Sequence, residues 1–115
     1  MSHSGRTQRA LADMLWFAAE IEEYVTARGE QNFYTDRPTQ LVAEALLHRL
    51  GEAVSRLDRD SPTFIQDHPE IEWAKIKAMP NIVAHEYGFI DHRIFWRALS
   101  VSLPQDVAAI RRLVP

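Results

Sequence analysis

The chain has 115 residues, 46% of them apolar and 25% charged, and its formal net charge at pH 7 is −3. This length and composition predict one globular domain over residues 1–115, large enough to bury a core without stabilising disulfides or metal ions. The absence of cysteine excludes disulfides and thiol chemistry, and the acidic balance argues against a broad DNA-binding face, so that any nucleic-acid contact must be local.

The first predicted element is a long amphipathic helix over residues 7–28. Its apolar side chains recur at steps of three and four and therefore share one face: Leu11, Met14, Leu15, Ala18, Ile21 and Val25. Gly29 is a natural stop for this helix. A second apolar face, off the main stripe, suggests an interface between two copies of the chain; it carries Trp16, Phe17 and Tyr24.

A polar connection is predicted over residues 31–37, and a second helix from Pro38 to about Leu57. Proline suits the first turn of a helix, where its missing amide hydrogen costs nothing. The spacing predicts one apolar stripe made of Val42, Leu46, Leu50, Val54 and Leu57. Gly51 lies inside this helix at a cost of roughly 1 kcal/mol relative to alanine. A glycine there indicates the close approach of another backbone.

The second half of the chain predicts three more helices. After a connection with a possible turn at Ser61–Pro62, a helix begins near Ile71. Asp91 is a credible N-cap for the next helix, which Leu103 and Pro104 end, and Pro104 opens a last short one. No segment alternates with period two, so the predicted fold class is all-α, a compact antiparallel bundle of four to six helices.

The segment from Pro80 to Tyr87 carries the most plausible chemistry. His85 is suited to acid–base work because its unperturbed pKa is about 6.5. The alternative is a purely structural role, in which His85 lies at a helix end and donates a hydrogen bond to a neighbouring backbone carbonyl. Tyr87 could equally be a core aromatic with its hydroxyl at the surface. An unbroken helix would align Lys77 and Asn81 with His85, which makes Lys77 a possible phosphate contact, although exposed lysines and asparagines are common.

Pro80 is the anomaly of this segment. Inside a helix it would remove a backbone hydrogen bond to Ile76 at a cost of about 3 kcal/mol. Two outcomes are open at this point: a kinked helix, or a break after which Pro80 restarts the helix in its first turn.

Motifs spread over residues 11–104 together resemble the minimal HEPN-domain toxins of the HepT type, in the family's order. These motifs are Leu11-Ala12-Asp13-Met14-Leu15, Leu50-Gly51-Glu52-Ala53, His68-Pro69-Glu70-Ile71-Glu72-Trp73, Met79-Pro80-Asn81, His85-Glu86-Tyr87, Asp91, Trp96 and Leu103-Pro104. Each motif is weak alone, and their order makes the resemblance specific. One position departs, since the family has arginine where this chain has Pro80.

The resemblance implies a homodimeric, metal-independent endoribonuclease that uses no cofactor. It assigns His85 as the catalytic residue and Asn81 as a supporting polar group. A cognate nucleotidyltransferase antitoxin would neutralise the toxin by binding and by adenylylating (AMPylating) Tyr87. Because Pro80 removes the family's cationic fork, the resemblance implies an attenuated copy.

The residues and the resemblance leave three functions open. The first is the RNA-cleaving toxin of a two-gene system, impaired in this copy. The second is a catalytically silent helical binding module that keeps partner or RNA recognition only, and the third is an unrelated bundle. No apolar run approaches the roughly 20 residues of a membrane span, and the N-terminus lacks the apolar centre of a signal peptide, so a cytoplasmic location is expected.

Overall fold

A computed structural model of the chain describes residues 5–85 and 91–114, and for residues 82–85 it describes the backbone only. The helices are α1 (Gly5–Tyr24), α2 (Glu30–Thr35), α3 (Arg37–Asp60), α4 (Pro62–Asp67), α5 (Trp73–His85), α6 (His92–Arg97) and α7 (Leu103–Arg111). Because this part of the chain contains no strand, the predicted all-α class is confirmed. None of its helices has the length and apolar character that crossing a membrane requires.

The two long helices α1 and α3 form an antiparallel pair at the centre of the bundle. Thr7 near the start of α1 shares a hydrogen bond with Ser61, which follows the end of α3. One turn and a half further along α1, the Asp13 carboxylate accepts a hydrogen bond of 2.9 Å from Arg56. The core lies along this pair and takes buried apolar side chains from α1 to α7. The predicted antiparallel bundle is therefore confirmed.

The end of α1 differs from the prediction of a helix to residue 28. α1 ends at Tyr24, because Val25 leaves the helical region with a φ of −124°, and a 3₁₀ turn follows over Thr26–Arg28. Gly29 then adopts a φ of +95°, in the left-handed region that favours glycine. Gly29 thus ends the helical stretch, as the sequence predicts.

The predicted polar connection over residues 31–37 is wrong, because it contains α2. This short helix buries the ring of Phe33 completely and so contributes to the core. Asp36 separates α2 from α3 and caps α3 by accepting a hydrogen bond of 3.1 Å from the Thr39 amide. Pro38 lies in the first turn of α3, as predicted.

The apolar stripe predicted for α3 is partly wrong in register. Val42 is 40% exposed and Leu46 is only half-buried, whereas Ala43 and Leu47 are fully buried. The reason is that α3 packs against α1 on one side and α5 on another, so its buried arc is wider than a single stripe.

Helix α5 begins at Trp73, two residues later than predicted, and continues through Pro80 to His85. Of the two outcomes that the sequence leaves open, the restart at Pro80 does not occur. The carbonyl of Ile76 nevertheless has no amide donor at position 80, since proline lacks one.

Asp91 caps α6, as predicted, but Leu103 and Pro104 do not end that helical stretch. A π-helical turn over Ala98–Ser102 joins α6 to α7, and the Leu103 amide donates to the Ala98 carbonyl five residues back. Pro104 follows this turn in the first turn of α7, where its missing amide hydrogen costs little.

Two of the three residues assigned to the second apolar face of α1 are exposed. Trp16 is 65% and Tyr24 is 46% exposed, and Val42 of α3 lies near Tyr24 in the same shallow depression. Phe17, in contrast, is half-buried against the core. The dimer that this face suggests stays a prediction.

Candidate active site at the end of helix α5

The start of α5 is fixed by a buried tryptophan. The indole N–H of Trp73 donates a hydrogen bond of 3.0 Å to the His68 carbonyl, which ties the preceding turn to the helix. The Phe64 ring of α4 packs against the same indole at 6.3 Å between ring centroids. The proline and tryptophan motif therefore has a structural role, because it sets where α5 begins.

The middle of α5 lies directly against Gly51 of α3. A Cβ atom at position 51 would lie 3.4 Å from the Lys77 carbonyl oxygen and 3.7 Å from Pro80 Cγ. This confirms the close backbone approach that the glycine predicts. A larger side chain at Gly51 would push α5 away from α3, so the glycine sets the distance between the site helix and the core.

Pro80 belongs to this packed contact. The residue is buried, and its ring faces α3 at Gly51. Residue 80 therefore lies in the interface between α3 and α5. A longer side chain at this position would have to extend out of that interface to reach solvent.

The polar residues of α5 stand on its outer side. Asn81 is exposed, and its amide makes no hydrogen bond with the described part of the chain. Lys77 is exposed as well, with its Nζ 4.0 Å from Asp58 Oδ2 of α3. Because both side chains are about half exposed, this ion pair is weak, and the ammonium is shared with a carboxylate.

His85 is the last residue of α5, and its side chain lies outside the description. The unbroken backbone places the Cα atoms of Lys77, Asn81 and His85 along one side of the helix, at steps of about 6 Å. Tyr87 lies outside the described residues altogether. The catalytic role of His85 and the modification of Tyr87 therefore stay predictions.

The far side of the segment is anchored by α6. Asp91 Oδ1 accepts hydrogen bonds from the backbone amides of Arg93 at 3.0 Å and Ile94 at 3.4 Å, which fixes the first turn. The ring of Phe33 in α2 contacts α6, with its centroid 6.0 Å from that of His92 and 5.2 Å from that of Phe95. The first turn of α6 is thus fixed by its cap and by ring packing.

Two of the other histidines have more context than the sequence suggests. The His68 ring packs on Phe64 at 4.5 Å between centroids and forms a 3.2 Å contact with Glu70. The ring of His92 packs edge-on against Phe33, and its buried Nε2 has no hydrogen-bond partner among the described residues. His48 is exposed.

Carboxyl groups around the bundle respond to their surroundings. Hydrogen bonds from the Thr39 side chain and amide hold the pKa of the Asp36 cap below its usual value. Burial raises the pKa of Asp106 in α7, and the nearby Glu72 adds to the effect. In the described ranges, no group of three or more histidine, aspartate or glutamate side chains is placed to hold a metal ion.

Two residues near the site escape the sequence reasoning. Asp58 is the partner of Lys77, and its position seven residues after Gly51 in α3 is a signal that could have found it, because that spacing returns to the same helix face. Arg93 lies two residues after the Asp91 cap, and its position close to the end of α5 depends on how α6 packs.

Comparisons with known proteins find relatives over most of the chain. A profile of the family described as ribonuclease HepT-like matches residues 14–113. A protein of Thermococcus cleftensis named "Probable ribonuclease HepT" is 30% identical over 84 residues, which cover 73% of this chain and 74% of that protein. A protein of Methanocaldococcus jannaschii, named as a candidate RNase, is 26% identical over 104 residues, covering 90% and 84% of the two chains.

No solved structure matches the chain. The family profile spans nearly all of the helices described above, including α5 and the segment that follows it. This extent argues against an unrelated bundle. The chain belongs to the HepT-like ribonuclease family.

Proposed function

We propose that this protein is a metal-independent endoribonuclease and the toxin of a two-gene toxin–antitoxin system, acting in the cytoplasm. The observation that carries the proposal is the position of His85 at the end of an unbroken α5, one turn after the exposed Asn81, in a chain of a ribonuclease family. The Gly51 contact supports it, because it holds this helix at a fixed distance from the core.

The proposed reaction is attack of a ribose 2′-oxygen on the adjacent phosphorus. A base takes the 2′-hydroxyl proton, the new P–O bond forms a 2′,3′-cyclic phosphate, and an acid protonates the departing 5′-oxygen. One imidazole cannot be base and acid at once, so His85 of each protomer in a homodimer would take one of the two tasks. The exposed Asn81 amide would donate a hydrogen bond to a phosphate oxygen.

We further propose that Pro80 attenuates this copy. An arginine holds a phosphate with two parallel hydrogen bonds and a fixed charge, and proline offers neither. Of the two lysines of α5, Lys75 pairs with Glu72, and Lys77, which is nearer to position 80, is partly neutralised by Asp58. Loss of one such contact typically slows a reaction by a factor of about 10² to 10³.

The homodimer and the antitoxin belong to the same proposal. The exposed Trp16 and Tyr24 offer an apolar face for a partner surface. A cognate nucleotidyltransferase would transfer an adenylyl group to Tyr87, adding negative charge and bulk next to the site. That charge would repel RNA phosphates by the electrostatics through which phosphorylation disrupts anion sites.

The direct test is cleavage of a cellular RNA mixture by the purified protein in EDTA. His85→Ala is expected to lower the rate by a factor of about 10² to 10⁴, the usual contribution of general acid–base catalysis. His48→Ala is the matched control, because it removes an exposed imidazole from α3. Equal rates for His85→Ala and the unmodified protein would contradict the proposal.

A second pair of variants isolates the role of position 80. Pro80→Arg restores both the backbone amide and the cation, whereas Pro80→Ala restores only the amide for the Ile76 carbonyl. We expect Pro80→Arg to cleave RNA at least tenfold faster than Pro80→Ala. If the two variants cleave equally, the attenuation hypothesis is wrong.

The second candidate function is a silent binding module. The buried ring of Pro80 at the family's arginine position favours it, because that position is here committed to packing. In this case RNA or the antitoxin binds, and neither the unmodified protein nor Pro80→Arg cleaves RNA.

A further inference from the structure

Helix α5 points its end towards the N-terminal half of α3. Lys77 lies beside Asp58, and Pro80 lies beside Gly51, so an increase in residue number along α5 matches a decrease along α3. The two helices are therefore antiparallel. The remaining five residues of α5, ending at His85, continue towards the start of α3.

Helix α6 begins at the same end of the bundle. The Gln40 side chain in the first turns of α3 donates a hydrogen bond of 2.8 Å to the Phe33 carbonyl, which seats α2 there. The Phe33 ring in turn contacts His92 and Phe95 of α6. Helix α6 also packs against α5. The end of α5 and the first turn of α6 thus flank the same part of the surface.

Arg93 is the cation in that first turn. Its backbone is fixed by the Asp91 cap, and its side chain is exposed. Within the described residues its guanidinium forms no ion pair or hydrogen bond. Its charge lies near the Tyr34 hydroxyl, where it opposes the increase in the pKa of that phenol caused chiefly by the hydrogen bond to Glu30.

Several other charged side chains at this end already have partners. Glu30 accepts the Tyr34 hydroxyl at 2.7 Å, and Asp91 accepts the amides of α6. Arg37 forms an ion pair of 3.3 Å with Glu44. Among the described residues, the Arg93 guanidinium therefore has no carboxylate to leave before it binds an incoming anion.

We propose that Arg93 contacts an RNA phosphate at the end of α5, in the absence of an arginine at position 80. This inference rests on the proposed ribonuclease function and adds a phosphate-binding residue to the same site. A guanidinium from the first turn of α6 would bind the phosphate with two parallel hydrogen bonds to its oxygens. The contact between Arg93 and the phosphate would increase the affinity for RNA.

The test measures binding of a single-stranded RNA oligonucleotide whose 2′-hydroxyls are methylated, so that it cannot be cleaved. Fluorescence anisotropy gives the affinity of the full chain over a range of salt concentrations. The variants are Arg93→Ala, Arg93→Lys and, as control, Arg59→Ala. Arg59 lies at the opposite end of α3 and pairs with the neighbouring Asp60 at the surface, so its loss removes the same charge away from the site.

Arg93→Ala is expected to weaken binding about tenfold and to make the slope of log affinity against log salt shallower by about 0.7, the value of one phosphate contact on a single strand. Arg93→Lys should keep the slope and recover part of the affinity, since it keeps the charge and loses the planar fork. Arg59→Ala should match the unmodified protein. The inference is overturned if Arg93→Ala and Arg59→Ala agree within twofold in affinity and in slope, or if the oligonucleotide does not bind.

Cleavage of unmodified RNA, measured in parallel, separates this inference from the function on which it rests. Binding that depends on Arg93, without cleavage that depends on His85, supports the phosphate contact and contradicts the nuclease. Cleavage that depends on His85 and is unaffected by Arg93→Ala contradicts the phosphate contact alone.

Discussion

The two halves of α5 have different tasks, and Pro80 lies at the junction between them. The first half is packed, with Trp73, Ile76 and Met79 buried and the indole bonded to the preceding turn. After Pro80 the helix presents the exposed Asn81 and ends at His85. The packed half therefore determines where the polar half stands. Pro80, although it occupies a motif position, belongs to the packed half.

The largest effect on stability is expected at Trp73, in the packed half of α5. Trp73→Ala should lower the free energy of unfolding by about 3–5 kcal/mol, because a large buried side chain leaves a cavity. Urea denaturation measures it. Asn81→Ala should change that free energy by less than about 0.5 kcal/mol, as expected of an exposed side chain that makes no hydrogen bond within the described residues. A comparable loss of stability in both variants would remove the distinction between the halves.

The junction itself is tested at Gly51. Gly51→Leu should cost about 1–3 kcal/mol, because its side chain would overlap the α5 backbone at Lys77 and Pro80. Gly51→Ala is the control, since its Cβ fits at ordinary contact distance and alanine gains about 1 kcal/mol of helix propensity. If Gly51→Leu unfolds at the same urea concentration as Gly51→Ala, packing at this point does not position α5.

A smaller effect is expected from the ion pair between α1 and α3. Arg56→Ala should lower the free energy of unfolding by less than about 1 kcal/mol, because both Arg56 and Asp13 are more than a third exposed. A double-mutant cycle with Asp13→Ala measures the coupling, which should shrink as salt increases. A coupling independent of salt would show that this contact is more than a surface pair.

The smallest effect concerns Asp106, which lies near Glu72 and Lys75 at the start of α5. Burial raises its pKa in the folded state, so the ionised form is disfavoured by folding. The stability that its neutral form contributes is present below the unfolded pKa and is lost as the pH rises through the folded pKa. Asp106→Asn should therefore raise the urea midpoint slightly at pH 7 and leave it unchanged at pH 3. An equal change at both pH values would contradict this assignment.

The sequence predicts those features of the fold that depend on local chemistry. Gly29 ends the first helical stretch, and Asp91 caps α6 because its carboxylate reaches the amides two and three residues on. Gly51 predicts a close contact between α3 and another backbone, and the structure confirms it. Each of these residues has a short-range physical reason for its position, which one sequence is enough to reveal.

Features that depend on tertiary packing are predicted less well. The stripe with Val42 and Leu46 is replaced by one with Ala43 and Leu47, because α3 faces two helices instead of one. Helix α2 is missed because a polar six-residue stretch gains its stability from one buried ring, that of Phe33. For the site, the pattern places Asn81 and His85 on one side of α5, whereas the pairing of Lys77 with Asp58 depends on how α3 and α5 pack.

The contact between Gly51 and Pro80 makes these two positions epistatic. With 3.7 Å between Pro80 Cγ and the place of a Cβ at residue 51, the acceptable size of one residue depends on the other. An arginine introduced at position 80 would therefore meet more resistance from a bulkier residue at position 51 than from glycine. The space for a guanidinium on α5 thus depends on a residue of another helix, 29 positions away in the sequence.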